Sequence, residues 1–196
     1  MNKLQSLHLF MNEIHDEGAK MIASHEQFQH LTLLDVGQNY LSDEGLKSIA
    51  MSWNLKNLKT LKASVNRFTA ESIETLVTSV PMSHLTFLGL SYNDIRGEGL
   101  LLIVTSPNLQ HLSTLILDSI GLRHNDTRIF MESQYLNELT TLSLAFNERL
   151  GKKGVQYLVQ SSCLKNLTSL HLRKKSLVKY LLPSPFLAKL KNIQLK

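Results

Sequence analysis

One pattern returns along the whole chain. L-x-x-L-x-L-x-x-N-x-L, with local changes, starts at Leu4 (LQSLHLFMNEI), Leu31 (LTLLDVGQNYL), Leu58 (LKTLKASVNRF), Leu85 (LTFLGLSYNDI), Leu112 (LSTLILDSIGL), Leu139 (LTTLSLAFNERL) and Leu167 (LTSLHLRKKSL). The first five steps are 27 residues, the sixth is 28, and a step of 23 leads to a fragment from Leu190 to Leu195. The residue three before each later start is also apolar: Phe28, Leu55, Met82, Leu109, Leu136, Leu164 and Leu187. A fixed period of this length marks a solenoid, because one unit cannot bury its apolar face alone and stacking buries all of them.

Each unit reads the same way. A short strand alternates inward and outward residues, with Leu34 and Val36 in and Leu33, Asp35 and Gly37 out. Asn39 follows where a side-chain amide can bond backbone groups leaving the strand, and Asn12, Asn66, Asn93 and Asn147 repeat the role. These predict a stacked asparagine ladder. A helix then opens with acids facing its positive end, at Asp16 and Glu17, Asp43 and Glu44, Glu71 and Glu98. Apolar residues at helical spacing supply its inner face, as in Leu46, Ile49 and Ala50 or Leu100, Ile103 and Val104. The expected fold is an α/β solenoid, parallel strands lining a concave face and helices outside. One domain spans 1–196: seven repeats and a partial one over 187–196.

The repeat resembles that of leucine-rich-repeat proteins, and its 27–28 residue period resembles the ribonuclease-inhibitor-like subclass. The resemblance covers essentially the whole chain and is specific for a right-handed horseshoe fold, far less so for function. It implies a non-catalytic protein-binding module. Small members resemble the repeat domains of intracellular receptors and of effectors that bacteria deliver into host cells. A second implication is a GTPase-activating protein of the leucine-rich-repeat type, a subclass whose usual acidic tail this chain replaces with a basic one.

Two repeats depart from the pattern. In the fifth, Ile120 takes the ladder position and Asp126 stands where other units have Gly18, Gly45 and Gly99; tolerated drift is the expected reading. In the seventh, Lys175 takes the ladder position and Pro183 and Pro185 follow, which predicts a short or absent helix. No polar cap precedes Leu4, so the chain is expected to be a fragment or to pair its open first edge.

Catalytic constellations are missing: the sequence holds no glycine-rich phosphate loop, H-E-x-x-H, C-x-x-C or G-x-S-x-G. No enzyme and no cofactor are expected. Cys163 occupies a slot that holds Gln27, Asn54, Pro81, Asn108 and Tyr135 in other units, so it is read as structural. His84 and His111 align in neighbouring repeats, but two histidines fall short of a zinc site, which takes three or four ligands. The single cysteine and the lack of an 18-residue apolar run suit a reducing cytosol, that of a host cell for a bacterial effector. Asn125-Asp-Thr127 and Asn166-Leu-Thr168 are read as chance glycosylation matches.

What remains is surface. The outward strand positions form a concave face on which His8, Phe10, Leu33, Asp35, Lys62, Phe87, Ile116, Asp118, His171 and Arg173, with Tyr92 beside them, are the candidate protein-binding residues. Phe10, Leu33, Phe87, Ile116 and Tyr92 are the expected anchors, since interfaces concentrate energy in a few large residues. Charge is uneven: residues 1–98 carry 8 basic against 11 acidic side chains, and residues 99–196 carry 13 against 5. The basic end, including Arg173, Lys174, Lys175, Lys179, Lys189, Lys191 and Lys196, is read first as a solvated cap. Nucleic-acid or anionic-lipid binding through it is the alternative, with neither expected as the main partner.

Overall fold

The computed structural model describes residues 3–173, 179–181 and 184–195. The strands are β1 (Ser6–His8), β2 (Leu33–Asp35), β3 (Thr60–Lys62), β4 (Phe87–Gly89), β5 (Thr114–Ile116), β6 (Thr141–Ser143), β7 (Ser169–Leu172) and β8 (Asn192–Leu195). They form one parallel sheet in chain order. The register repeats the sequence period: Leu7, Leu34, Leu61, Leu88, Leu115, Leu142, Leu170 and Ile193 stand opposite one another. The six from Leu34 to Leu170 are buried, while Leu7 and Ile193, each with a neighbour on one side only, are half-buried. At about 4.8 Å per strand the sheet is roughly 34 Å across.

The outer layer holds α1 (His15–Ser24), α2 (Asp43–Ala50), α3 (Ala70–Thr78), α4 (Arg96–Val104) and α5 (Gly151–Leu158). Their inner faces are the ones the spacing predicts, with Leu46, Ile49, Ile73, Leu76, Leu100 and Ile103 fully buried against the leucines of the sheet. The acids that open α1 and α2 do more than face a helix dipole: each reaches into the next unit. Asp16 accepts the Ser42 amide at 2.8 Å and its hydroxyl at 2.5 Å. Asp43 accepts the same two groups of Thr69 at 2.8 and 2.7 Å. Ser42 and Thr69 in turn cap α2 and α3 by accepting the amides of Glu44 and Glu71. Burial works to raise the Asp43 pKa, but hydrogen bonds from Ser72 and Thr69 outweigh it and hold the carboxyl below its ordinary value.

The asparagine ladder forms. Asn39 accepts the amides of Asn12 at 2.9 Å and Ile14 at 3.3 Å, and donates to the carbonyls of Leu9 and Gly37. Asn66 and Asn147 do the same one and four units on. A second ladder runs along the opposite edge. The hydroxyls of Ser52, Ser79, Ser106 and Ser133 donate to Ala23, Ala50, Val77 and Val104, carbonyls at the end of the preceding helix. Those carbonyls have no partner within their own helix, which is why a short donor recurs there.

Repeat 5 has no α-helix. A six-residue 3₁₀ turn, Asp126–Met131, replaces it and fills the space with the buried Phe130. For repeat 7, Lys174, Lys175 and Pro183 lie outside the described residues.

Candidate functional site

The predicted concave row is present: His8, Asp35, Lys62, Gly89, Ile116, Ser143 and His171 are register partners across β1 to β7. A second row joins Ser6, Leu33, Thr60, Phe87, Thr114, Thr141 and Ser169. Leu33, Asp35, Lys62, Phe87, Ile116 and His171 are half-buried, and His8 and Phe10 are exposed at the first strand. Two phenylalanines lie on glycines. A Cβ added to Gly37 would meet the Phe10 ring at 3.0 Å, and one added to Gly89 would meet the Phe87 ring at 3.2 Å. Flat rings on a side-chain-free bed give the sheet two broad apolar contacts.

Asp118 departs from its expected role. It is only 5% exposed, accepting the Ser143 hydroxyl and, at 2.9 Å, the Ala145 amide. Its carboxylate ties β5 to β6 at a point where the ladder residue is Ile120, so it is a structural brace within the sheet. Nor do its neighbours on this face look outward uniformly: Ser91 and Ala145, one repeat before and after Asp118, are buried, and so is Ser143.

A column that the sequence reading left out runs beside the ladder. Met11, Gln38, Val65, Tyr92, Ser119 and Phe146 each precede the ladder position, and each has a φ between 53° and 61°. Non-glycine residues adopt this left-handed conformation rarely and at a cost. Here it is held by the next unit, as the amides of Met11, Gln38, Val65, Tyr92 and Ser119 donate to Gly37, Ser64, Ser91, Asp118 and Ala145. The turn carries large side chains into solvent along one edge of the sheet: Met11 is 66% exposed, Val65 41% and Tyr92 48%. Tyr92 and Phe146 lie with ring centroids 6.3 Å apart, and the Arg173 guanidinium stands 5.3 Å from the Phe146 ring while pairing with Glu148. Nearer the first repeat, His15 stacks on Tyr40 at 5.6 Å and Arg67 covers the same ring at 5.3 Å. Tyr92, expected among the concave-face binding residues, stands in this column, and Arg173, expected with it, reaches the column at Phe146.

Other groups are occupied structurally. Cys163 is buried, bonds the Phe130 carbonyl, and burial pushes its thiol up to about 11. Asn54 and Asn108, in the same slot, likewise donate to Ala23 and Val77 at 3.1 Å, so this position caps the previous unit. A thiol so buried and so weakly acidic is a poor nucleophile. His111 faces Glu138 at 3.4 Å, and among the described residues no three histidine, cysteine or acidic side chains gather as metal ligands. Among the basic residues of the C-terminal part, Lys189 donates to Asn166 and Lys179 lies over the Tyr180 ring. Among the described residues no helix is long and apolar enough to cross a membrane.

A family profile described as "Leucine Rich repeat" matches four segments, residues 1–23, 29–50, 82–104 and 136–159. Among solved structures the chain is similar to an internalin, InlF, from Listeria monocytogenes, with a TM-score of 0.60 and 20% identity. The match covers 98% of this chain and 48% of the internalin, so the chain spans about half that protein's length. Weaker likenesses are to a yeast Rad7–Elc1 complex (TM-score 0.35, 18% identity, 99% of this chain and 70% of that one) and to PEPR1–AtPEP1 (0.41, 17%, 85% and 28%). No curated protein matches the sequence.

Proposed function

We propose that this leucine-rich-repeat solenoid is a non-catalytic protein-binding module that grips its partner between the concave face and the aromatic rim. The carrying observation is the rim column: Met11, Val65 and Tyr92 are exposed there and Phe146 half-buried, and the turns of Met11, Val65 and Tyr92 are locked by the neighbouring unit. Residues with no packing role in their own core, presented on a rigid scaffold, have the character of interface anchors, since little ordering cost remains to be met on binding. Phe10, Leu33, Phe87, Ile116 and Tyr92 are the proposed anchors, with His8, Asp35, Lys62, His171 and Arg173 setting charge complementarity around them. The 27-residue period and helical outer layer support placement in the ribonuclease-inhibitor-like subclass. A bacterial effector acting in a host cytosol, or part of an intracellular receptor, is the biological setting this reading carries.

Two double variants test the two halves of the surface. Phe87→Asp with Ile116→Asp alters the concave face, and Tyr92→Asp with Phe146→Asp alters the rim; each is first checked for native circular dichroism. Proteins retained from lysate by the wild type and released by both variants are the expected result. Retention of the same proteins by all three, or of none by any, would overturn the proposal.

A further inference from the structure

Beyond the rim, where the chain turns from strand to outer layer in repeats 4 to 6, lies a pocket of about 470 Å³. Arg96, Arg123 and Arg149 line it. The three come from successive repeats: Arg96 and Arg123 are one 27-residue period apart, and Arg123 and Arg149 pair as neighbouring backbone partners. We propose that this pocket binds a phosphate monoester, held by guanidinium groups stacked at one repeat spacing.

Three observations carry it. Room comes from repeat 5, where the short 3₁₀ turn stands in place of an α-helix. The floor is side-chain-free at Gly121, whose φ of +85° suits glycine and which leaves the Arg96 stem 3.5 Å from where a Cβ would be. Charge is the third. Arg96 is engaged by Asp94 at 2.7 and 2.8 Å, but among the described residues neither Arg123 nor Arg149 forms an ion pair. Two carboxylates, Glu98 and Asp126, also line the pocket. Asp126 is turned to the backbone: it accepts the Arg123 amide at 2.7 Å and lies so close over Gly97 that a Cβ there would collide with it. Arg123 and Arg149, on adjacent turns and in no ion pair among the described residues, each offer a planar fork of donors, and a phosphate monoester, with three terminal oxygens against a diester's two, has enough acceptors to engage both. The volume leaves space for the group that carries the phosphate.

Calorimetric titration of the full chain at low salt with inorganic phosphate, O-phosphoserine and a dinucleotide diester tests this independently of any protein partner. Saturable binding of the monoanion-plus-dianion probes, phosphate and phosphoserine, is expected, with the diester much weaker. Equal affinity for both would identify free phosphate as sufficient, and tighter phosphoserine would identify a carried group; either supports the site. Arg123→Gln and Arg149→Gln should each weaken binding about tenfold, as loss of a charged hydrogen bond does. A charge-matched Lys56→Gln, Lys165→Gln variant should bind as the wild type does, and Glu98→Gln should bind several-fold tighter. No saturable binding by the wild type, a diester bound as well as the monoester, or arginine variants that match the lysine control would each overturn the proposal.

Discussion

Repeats 2 to 4 and repeat 5 share a strand and differ in nearly everything around it. The first three have a ladder asparagine and an α-helix; repeat 5 has Ile120, the brace Asp118 and a 3₁₀ turn. Yet Leu115 sits in register between Leu88 and Leu142, and all three are fully buried. The inward leucines therefore set the sheet, while ladder and helix are refinements that can be exchanged unit by unit. Sheet register survives because a one-residue slip would turn every leucine of the strand into solvent.

The largest test of that separation removes the shared part. Leu61→Ala and Leu115→Ala should each cost about 2–5 kcal/mol, measured by urea unfolding, since both delete a fully buried side chain from a stacked column. Near-equal losses are expected; a clearly cheaper Leu115→Ala would mean that repeat 5 is held by something other than its strand core.

Removing a refinement should cost less and act more locally. Asn39→Ala leaves two amides and two carbonyls without their side-chain partner, for about 2–3 kcal/mol. Amide exchange at Asn12 and Ile14 should quicken most. The Ile120 and Leu122 amides of repeat 5 are held by Asn147 at 3.1 Å in the same way, so Asn147→Ala should quicken their exchange although repeat 5 has no asparagine of its own.

The acid–hydroxyl links that join α1, α2 and α3 give the comparison a pH axis. Because folding lowers the Asp43 pKa, its stabilisation is present above the ordinary value of 3.8 and is lost as pH falls through the lower folded value. Wild-type protein should lose stability through that window, and Asp43→Asn should lose less of it. At neutral pH Thr69→Ala should cost about 1 kcal/mol, the usual worth of an N-cap.

How far the sequence could be read follows the same division. Leucine spacing and asparagine position made strand order, register and helix faces legible, because burial and backbone satisfaction leave those residue types little choice. The rim is not legible as a column, and of its residues only Tyr92 stands out in the sequence, as a concave-face candidate. Its position accepts Met, Gln, Val, Tyr, Ser and Phe, so no residue type marks it; only the backbone conformation does. Asp118 is hard to read for the converse reason: an aspartate at an outward strand position looks exposed in the sequence, whereas the Ser143 hydroxyl and the Ala145 amide claim its carboxylate. The serine ladder was missed although Ser52, Ser79 and Ser106 recur at the period, because a serine between helix and strand reads as an ordinary loop residue.

Val65 offers the finest test, since it sets backbone strain against chain entropy at a single rim position. It holds a φ of 58° that a β-branched side chain tolerates badly, while its amide is tied to the Ser91 carbonyl at 2.8 Å. Glycine removes the strain of about 1–2 kcal/mol but adds about 0.5–1 kcal/mol of unfolded-state entropy. Val65→Gly should therefore stabilise the fold by roughly 0.5 kcal/mol, whereas Ser119→Gly, at the same turn of repeat 5 but without β-branching, should change stability by less. A loss of stability in Val65→Gly would mean that the valine side chain contributes more through packing on the rim than its turn costs, and that the rim is part of the fold as well as a surface.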